Sequence, residues 1–72
     1  MAAKQPSIGR MMKTARMELG LTQRSLADAA GITNVHLCNI ENDKSDAPIY
    51  TLRNIAKCMG YRLELELVKE KR

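Results

Sequence analysis

The stretch TQRSLADAAGITNVHLCNIEN, residues 22–42, decides the fold of this chain. Thr22 is a favoured helix N-cap, and apolar residues recur after it at helical spacing up to Gly31. Thr33 begins a second helical pattern only two residues later, so almost no loop separates the two. Helices of this length are marginally stable alone in water. The stretch therefore predicts two short helices that are held by a glycine turn and by packing against the rest of the chain.

Two further helical patterns flank this stretch. Ser7 is a suitable N-cap for a first helix that stops at Gly20, and Pro48 suits the first turn of a fourth helix that ends at Gly60. The apolar residues of both patterns recur at helical spacing: Ile8, Met11, Met12, Ala15 and Leu19, then Leu52, Ile55, Ala56 and Met59. The sequence thus predicts a mainly α, compact four-helix domain over residues 7–60.

The apolar spacing changes from helical to two in YRLELELV, residues 61–68. Such alternation is typical of a strand with one apolar face. The chain has no second strand pattern, and a lone strand leaves its backbone groups unpaired. We therefore expect a homodimer in which two copies of this C-terminal β-strand pair through Tyr61, Leu63, Leu65 and Leu67. Residues 1–6 are expected to form a flexible arm, and residues 69–72 a disordered tail.

Length and charge limit the function. The 72 residues suffice for one domain, and the net charge is +4. The whole excess of positive charge lies in residues 1–27, which favours an anionic partner. Because no apolar run is long enough for a membrane span or a signal peptide, we expect a cytoplasmic protein whose cysteines stay reduced.

The sequence lacks the residue sets that indicate an enzyme or a metal site. His36 is the single histidine, and its distance of two residues from Cys38 places the two on different faces of a helix. No glycine-rich phosphate loop or pair of catalytic acids is recognisable. We expect no catalytic activity, no cofactor and no metal.

Residues 22–42 combine with neighbouring segments into a signature that resembles a known family. The matching residues are L-G-L-T-Q-x-x-L-A at 19–27, Gly31, I-E-N at 40–42 and T-L-x-x-I-A at 51–56. They resemble the helix-turn-helix regulators of the phage repressor and Cro type (Xre-like), over roughly residues 7–60. The resemblance implies a repressor whose third helix, residues 33–41, enters the major groove of double-stranded DNA, while a homodimer binds a palindromic operator. A plain helical hairpin is the structural alternative.

The resemblance also implies which residues contact bases. They lie at the start and on the outer face of the third helix: Asn34, Val35, His36 and Asn39. An Asn amide can bridge N6 and N7 of adenine, and Val can pack on a thymine methyl. Alternatively, these side chains are exposed helix surface, and the imidazole could equally touch a phosphate or only water.

Phosphate contacts are expected from residues that flank the same groove: Gln23, Arg24, Thr33, Asn42 and Lys44. Gln23 opens the second helix, where its side chain and the free N–H groups point outwards together. The basic residues could instead be solvated charges. The family further implies that Arg16 and Glu41 form a partly buried ion pair, which ties the first helix to the end of the third.

The chain departs from the family pattern in two places. Asp43 replaces the glycine that commonly follows I-E-N, which leaves that loop's conformation open, although Asn or Asp can adopt left-handed backbone angles. The strand after Gly60 resembles the one by which Cro-like proteins and some antitoxin repressors dimerise. The alternative function is therefore an antitoxin that binds a cognate toxin protein and regulates its own operon.

Overall fold

Four helices account for most of the computed structural model, which describes residues 7–64, 67 and 69. They are α1 (Ile8–Glu18), α2 (Gln23–Ala30), α3 (Asn34–Glu41) and α4 (Ile49–Cys58). Helix α2 packs against both α3 and α4, and α1 packs against α3. The prediction of a mainly α, compact four-helix domain is confirmed.

Side chains of the chain's hydroxyl residues set the starts of three helices. Ser7, Thr22 and Thr33 have extended backbone angles, and each side-chain oxygen accepts a hydrogen bond from the N–H three residues later, at 3.0–3.1 Å. Such caps satisfy one of the donors that a helix start leaves free. Pro48 occupies the corresponding position of α4, one residue before the first turn, and offers no side-chain cap.

The hydrophobic core lies where the four helices meet. Leu26, Leu37 and Ile55 are its largest fully buried side chains and come from α2, α3 and α4. Smaller contributions come from the other helix positions with the same spacing: Met12, Ala27, Ala30, Ile40, Ala56 and Met59. Because each helix contributes one apolar face, none of them is stable apart from the others.

The turn between α2 and α3 depends on Gly31, whose φ of 73° lies in the left-handed region that side chains disfavour. Its N–H donates to Asp28 O at 3.2 Å, and the next N–H, of Ile32, donates to Ala27 O at 3.0 Å. Asn54 of α4 donates to the carbonyl of Ala30 at 2.8 Å. These bonds satisfy carbonyls at the end of α2 and fix the direction in which α3 begins.

Helices α1 and α3 approach each other through backbone at Gly9. This glycine is buried, and a Cβ added there would overlap the carbonyl oxygen of Ile40 and lie 2.9 Å from Asp43 Oδ1. Any other residue would push α1 away from the end of α3.

The expected C-terminal strand is not confirmed. The described residues 61–64 form no strand, and Leu65 lies outside the described residues. Leu63 packs against the core of its own chain, whereas Tyr61 is half-exposed and Leu67 fully exposed. Strand pairing in a dimer therefore stays a prediction, as do the arm at 1–6 and most of the tail at 69–72, which lie outside the described ranges.

Candidate nucleic-acid interface

Helix α3 has two different sides. Leu37, Ile40 and Glu41 are buried against the other helices. Val35 is 68% exposed, so its side chain lies on the outer side of the same helix. Asn34 beside it is exposed as well. The start of α3 thus exposes the side-chain amide of Asn34 and the apolar side chain of Val35 to solvent.

The four residues expected to contact bases lie in the first turns of α3. Asn34 and Val35 are exposed, whereas His36 and Asn39 are half-buried. Within the described residues, neither Asn34 nor Asn39 uses its amide in a side-chain hydrogen bond, so both keep their full donor and acceptor capacity. The helix also leaves the first backbone N–H groups of α3 free, apart from the one that Thr33 caps.

The residues expected to contact phosphates differ in how free they are. Arg24 and Lys44 are exposed and form no ion pair within the described part of the chain. Thr33 accepts the bond that caps α3, and its hydroxyl proton remains available to donate. Asn42 Nδ2 donates to the carbonyl of Cys38 at 2.9 Å and to Cys38 Sγ at 3.4 Å, so this amide is already engaged at the end of α3.

Gln23 is the first residue of α2 and is half-buried. Its Nε2 donates to Glu41 Oε1 at 3.0 Å. One hydrogen bond therefore holds this side chain against Glu41, while the residue stays partly exposed at the start of α2; its phosphate contact stays a prediction.

Arg16 and Glu41 form a bidentate ion pair between α1 and α3, the pairing that the family resemblance implies. Arg16 Nε donates to Glu41 Oε2 at 2.8 Å, and Nη2 donates to Oε1 at 3.2 Å. The Arg16 side chain is 11% exposed and that of Glu41 is fully buried. Arg16 Nη1 also donates to the carbonyl of Leu21 at 2.8 Å. The guanidinium thus joins α1, the loop before α2 and the end of α3.

Asp43 faces the start of α1. Its backbone is left-handed, with φ of 60°, as glycine would be at this position. Its carboxylate Oδ2 accepts from the hydroxyl of Ser7, the N-cap of α1, at 2.7 Å. Because α1 has no acidic residue in its own first turn, Asp43 supplies the negative charge that stabilises a helix N-terminus.

Three of these features were missed in the sequence: the Gln23–Glu41 bond, the Ser7–Asp43 bond and the close approach at Gly9. Only Gly9 had a signal, since glycine within a helix is unfavourable and marks a close contact. The two hydrogen bonds join residues 18 and 36 positions apart, and no local pattern indicates such pairs.

Two other kinds of site are absent among the described residues. No group of three or more His, Cys, Asp or Glu side chains among them is arranged to hold a metal ion. No helix in the described ranges has both the length and the apolar character needed to cross a membrane.

Comparison with known proteins identifies the class to which these features belong. Residues 12–65 match the family model described as "Helix-turn-helix". The chain belongs to this family, the DNA-binding regulators of the phage repressor and Cro type.

A curated relative and two solved structures are similar to it. The immunity repressor protein of Bacillus phage phi105 is 32% identical over an alignment of 69 residues; the match covers 89% of this chain and 48% of the relative. The chain therefore spans about half the length of this relative. The solved structures are described as "MDT Protein" and "Structure of HipA-HipB-O2-O3 complex". In each, the matched chain is 27% identical to this one and has a TM-score of 0.72. The match covers 94% of this chain and 100% of the other.

Proposed function

We propose that this protein is a sequence-specific transcriptional repressor that binds a palindromic operator in double-stranded DNA as a homodimer, with α3 in the major groove. The observation that carries this proposal is the division of α3 into two sides. Leu37 and Ile40 anchor the helix in the core, while Asn34 and Val35 protrude from its first turn. A major groove about 12 Å wide admits such a helix.

Base contacts follow from the chemistry of the exposed side. The Asn34 and Asn39 amides each offer a donor and an acceptor. This pair complements adenine, whose N7 accepts and whose N6 amino group donates in the major groove. Val35 can pack on a thymine methyl, a contact that would remove its exposed side chain from water. His36 is proposed to contact either a base edge or a phosphate from the same turn.

Phosphate contacts are proposed for the residues around the two helix starts and the following loop: Gln23, Arg24, Thr33, Asn42 and Lys44. The free N–H groups at the starts of α2 and α3 favour an anion there. Arg24 and Lys44 add positive charge that attracts DNA of any sequence. These contacts fix the position of the protein on the duplex, so that α3 faces the bases.

The homodimer is supported by apolar surface around α1 and the segment after α4. Ile8, Met11 and Tyr61 are 38%, 52% and 50% exposed, and they border one shallow groove together with Leu63. Leu67 is completely exposed. A second copy that covers this surface and pairs residues 61–68 would remove these side chains from water. Leu63, which already rests on its own core, would then lie beneath the interface.

Selection of binding sites from random DNA tests the proposal. We expect a two-fold symmetric site with half-site centres about 10 to 10.5 base pairs apart. If the dimer neutralises about 7 phosphates, log K should fall with log salt with a slope near −6. An asymmetric site would contradict the homodimer, and a slope near zero would contradict DNA binding itself.

A second candidate function is that of an antitoxin, which binds a toxin protein and represses its own operon. One solved chain with the same fold belongs to a complex described as HipA-HipB-O2-O3, which supports a protein partner besides the operator. Co-expression with the product of the adjacent gene tests it. Relief of that product's toxicity and a stable complex in gel filtration would favour the antitoxin. If that product is harmless and does not bind, the antitoxin function is contradicted and the repressor function remains.

A further inference from the structure

The carboxylate of Glu41 receives a third donor besides the two from Arg16. Its Oε1 accepts from Arg16 Nη2 at 3.2 Å and from Gln23 Nε2 at 3.0 Å. The side chain of Glu41 is completely buried, whereas Gln23 is half-exposed at the start of α2. One buried carboxylate thus connects the ion pair between α1 and α3 with a side chain at the protein surface.

This arrangement determines which way the Gln23 amide faces. A carboxylate has only acceptors, so an amide oxygen turned towards it would be repelled. The amide nitrogen must therefore face Glu41, and it carries two N–H groups. One donates to Glu41, and the other, which diverges from the first in the plane of the amide, remains for a second acceptor.

We propose that Glu41 is a positioning residue for the DNA backbone: it holds the Gln23 amide so that the remaining N–H is presented to a phosphate at the start of α2. The proposal rests on the proposed function, because it deepens the role of Gln23 there. Arg16 balances the charge of Glu41 through two hydrogen bonds, so the carboxylate does not repel the phosphate. The free N–H groups of the first turn of α2 bind the same anion.

Positioning matters because a free glutamine side chain loses rotamer entropy when it binds. Fixing the side chain before DNA arrives removes a cost equivalent to about a tenfold factor in affinity. The ion pair therefore contributes to DNA affinity without touching DNA, through the orientation of one amide.

A double-mutant cycle on operator affinity tests the proposal. The background Arg16→Met/Glu41→Leu replaces the buried ion pair by apolar side chains of similar size, a change that often preserves stability. Gln23→Ala is then measured in the wild type and in this background, at one salt concentration and with the folded fraction of each variant checked by circular dichroism. We expect Gln23→Ala to weaken operator binding about tenfold in the wild type and less than about twofold in the background.

Equal losses in both backgrounds would overturn the proposal, and so would the absence of any loss in the wild type. Neither result would affect the proposed function, which depends on the symmetric site and the salt slope. If the background variant does not fold, the free wild-type protein decides by NMR. The side-chain ¹⁵N–¹H nuclear Overhauser effect of Gln23 should then be as high as that of the helix backbone, and higher than that of exposed Asn34. A Gln23 amide as mobile as that of Asn34 would overturn the positioning role.

Discussion

The α2–α3 unit and the segment after α4 both carry regular apolar patterns, but in the described residues they differ in how much of the pattern is buried. In the α2–α3 unit, Leu26 and Leu37 are fully buried, and a cap, a left-handed glycine and Asn54 satisfy the backbone at the turn. After α4, the apolar residues alternate in the sequence; among the residues that the structure describes there, Leu63 packs on the core and Leu67 is fully exposed. A pattern whose partners lie in the same chain specifies a fold, whereas one without them indicates a surface that another molecule covers.

The largest effect on stability is expected from a substitution in the core of the α2–α3 unit. Leu37→Ala removes a fully buried side chain of α3 and should lower the free energy of unfolding by about 2–5 kcal/mol. That loss would leave much of the chain unfolded, because a domain of this size is marginally stable. Urea denaturation measures it. Val35→Ala on the outer side of the same helix is the control and should change stability by less than about 0.5 kcal/mol.

A substitution in the segment after α4 should weaken the dimer and leave the fold of each chain intact. Leu65→Lys should yield monomer in sedimentation at micromolar concentration, because two charged residues per dimer would replace leucines worth about 1.5–3 kcal/mol each. The dissociation constant should rise at least about 100-fold.

Glu64→Lys is the matched control, since Glu64 is exposed and paired only with exposed Arg62 in the described residues. It should remain dimeric. A Leu65→Lys variant that stays fully dimeric would show that residues 61–68 are not the interface.

The surface of the first region should separate into two kinds of DNA contact. Asn34→Ala and Asn39→Ala should each cost about 1–3 kcal/mol on the operator and leave binding to random DNA nearly unchanged. Gln23→Ala and Lys44→Ala should weaken both duplexes by similar factors. Titrations of each variant against operator and scrambled DNA at one salt concentration measure this. Equal losses on both duplexes for the two Asn variants would mean that α3 does not recognise sequence through them.

The smallest expected effect concerns the loop that links the end of α3 to α1. Asp43→Asn keeps a residue type that tolerates left-handed backbone but removes the charge at the start of α1. It should cost about 0.3–1 kcal/mol of stability, and the cost should shrink at high salt. Asp46→Asn, at an exposed position of the same loop, is the control. Identical losses for both variants would show that Asp43 has no special role.

The sequence was sufficient for the helices because their signals are local. The hydroxyl caps at Ser7, Thr22 and Thr33 and the glycine at 31 are visible in a few residues, and the structure has all four features where they were expected. The orientation of Gln23 was not predictable, since it depends on a buried carboxylate 18 positions away. The predicted strand at residues 61–68 has no second strand pattern in the sequence to pair with, so a single chain cannot test that prediction.

Asp43 shows the same limit at a single residue. In the sequence it stood as a substitute for the glycine that commonly follows I-E-N, which left the conformation of the loop open. In the structure its backbone is left-handed and its carboxylate bonds to Ser7, so the charge faces α1. Sequence pattern predicts which segments become helices, but the partner of each loop side chain is known only after the helices are assembled.

The close approach at Gly9 also gives the protein a fixed register. It is the only glycine of α1, and its missing side chain is what allows the backbone of α1 to rest on the carbonyl of Ile40. Sliding α1 by one turn along α3, or rotating it by one residue, would bring a side chain against that carbonyl. The two helices can therefore pack this closely in only one register, the one that places Gly9 against Ile40. It fixes the position of Ser7 and of α1 relative to the helix proposed to enter the DNA groove.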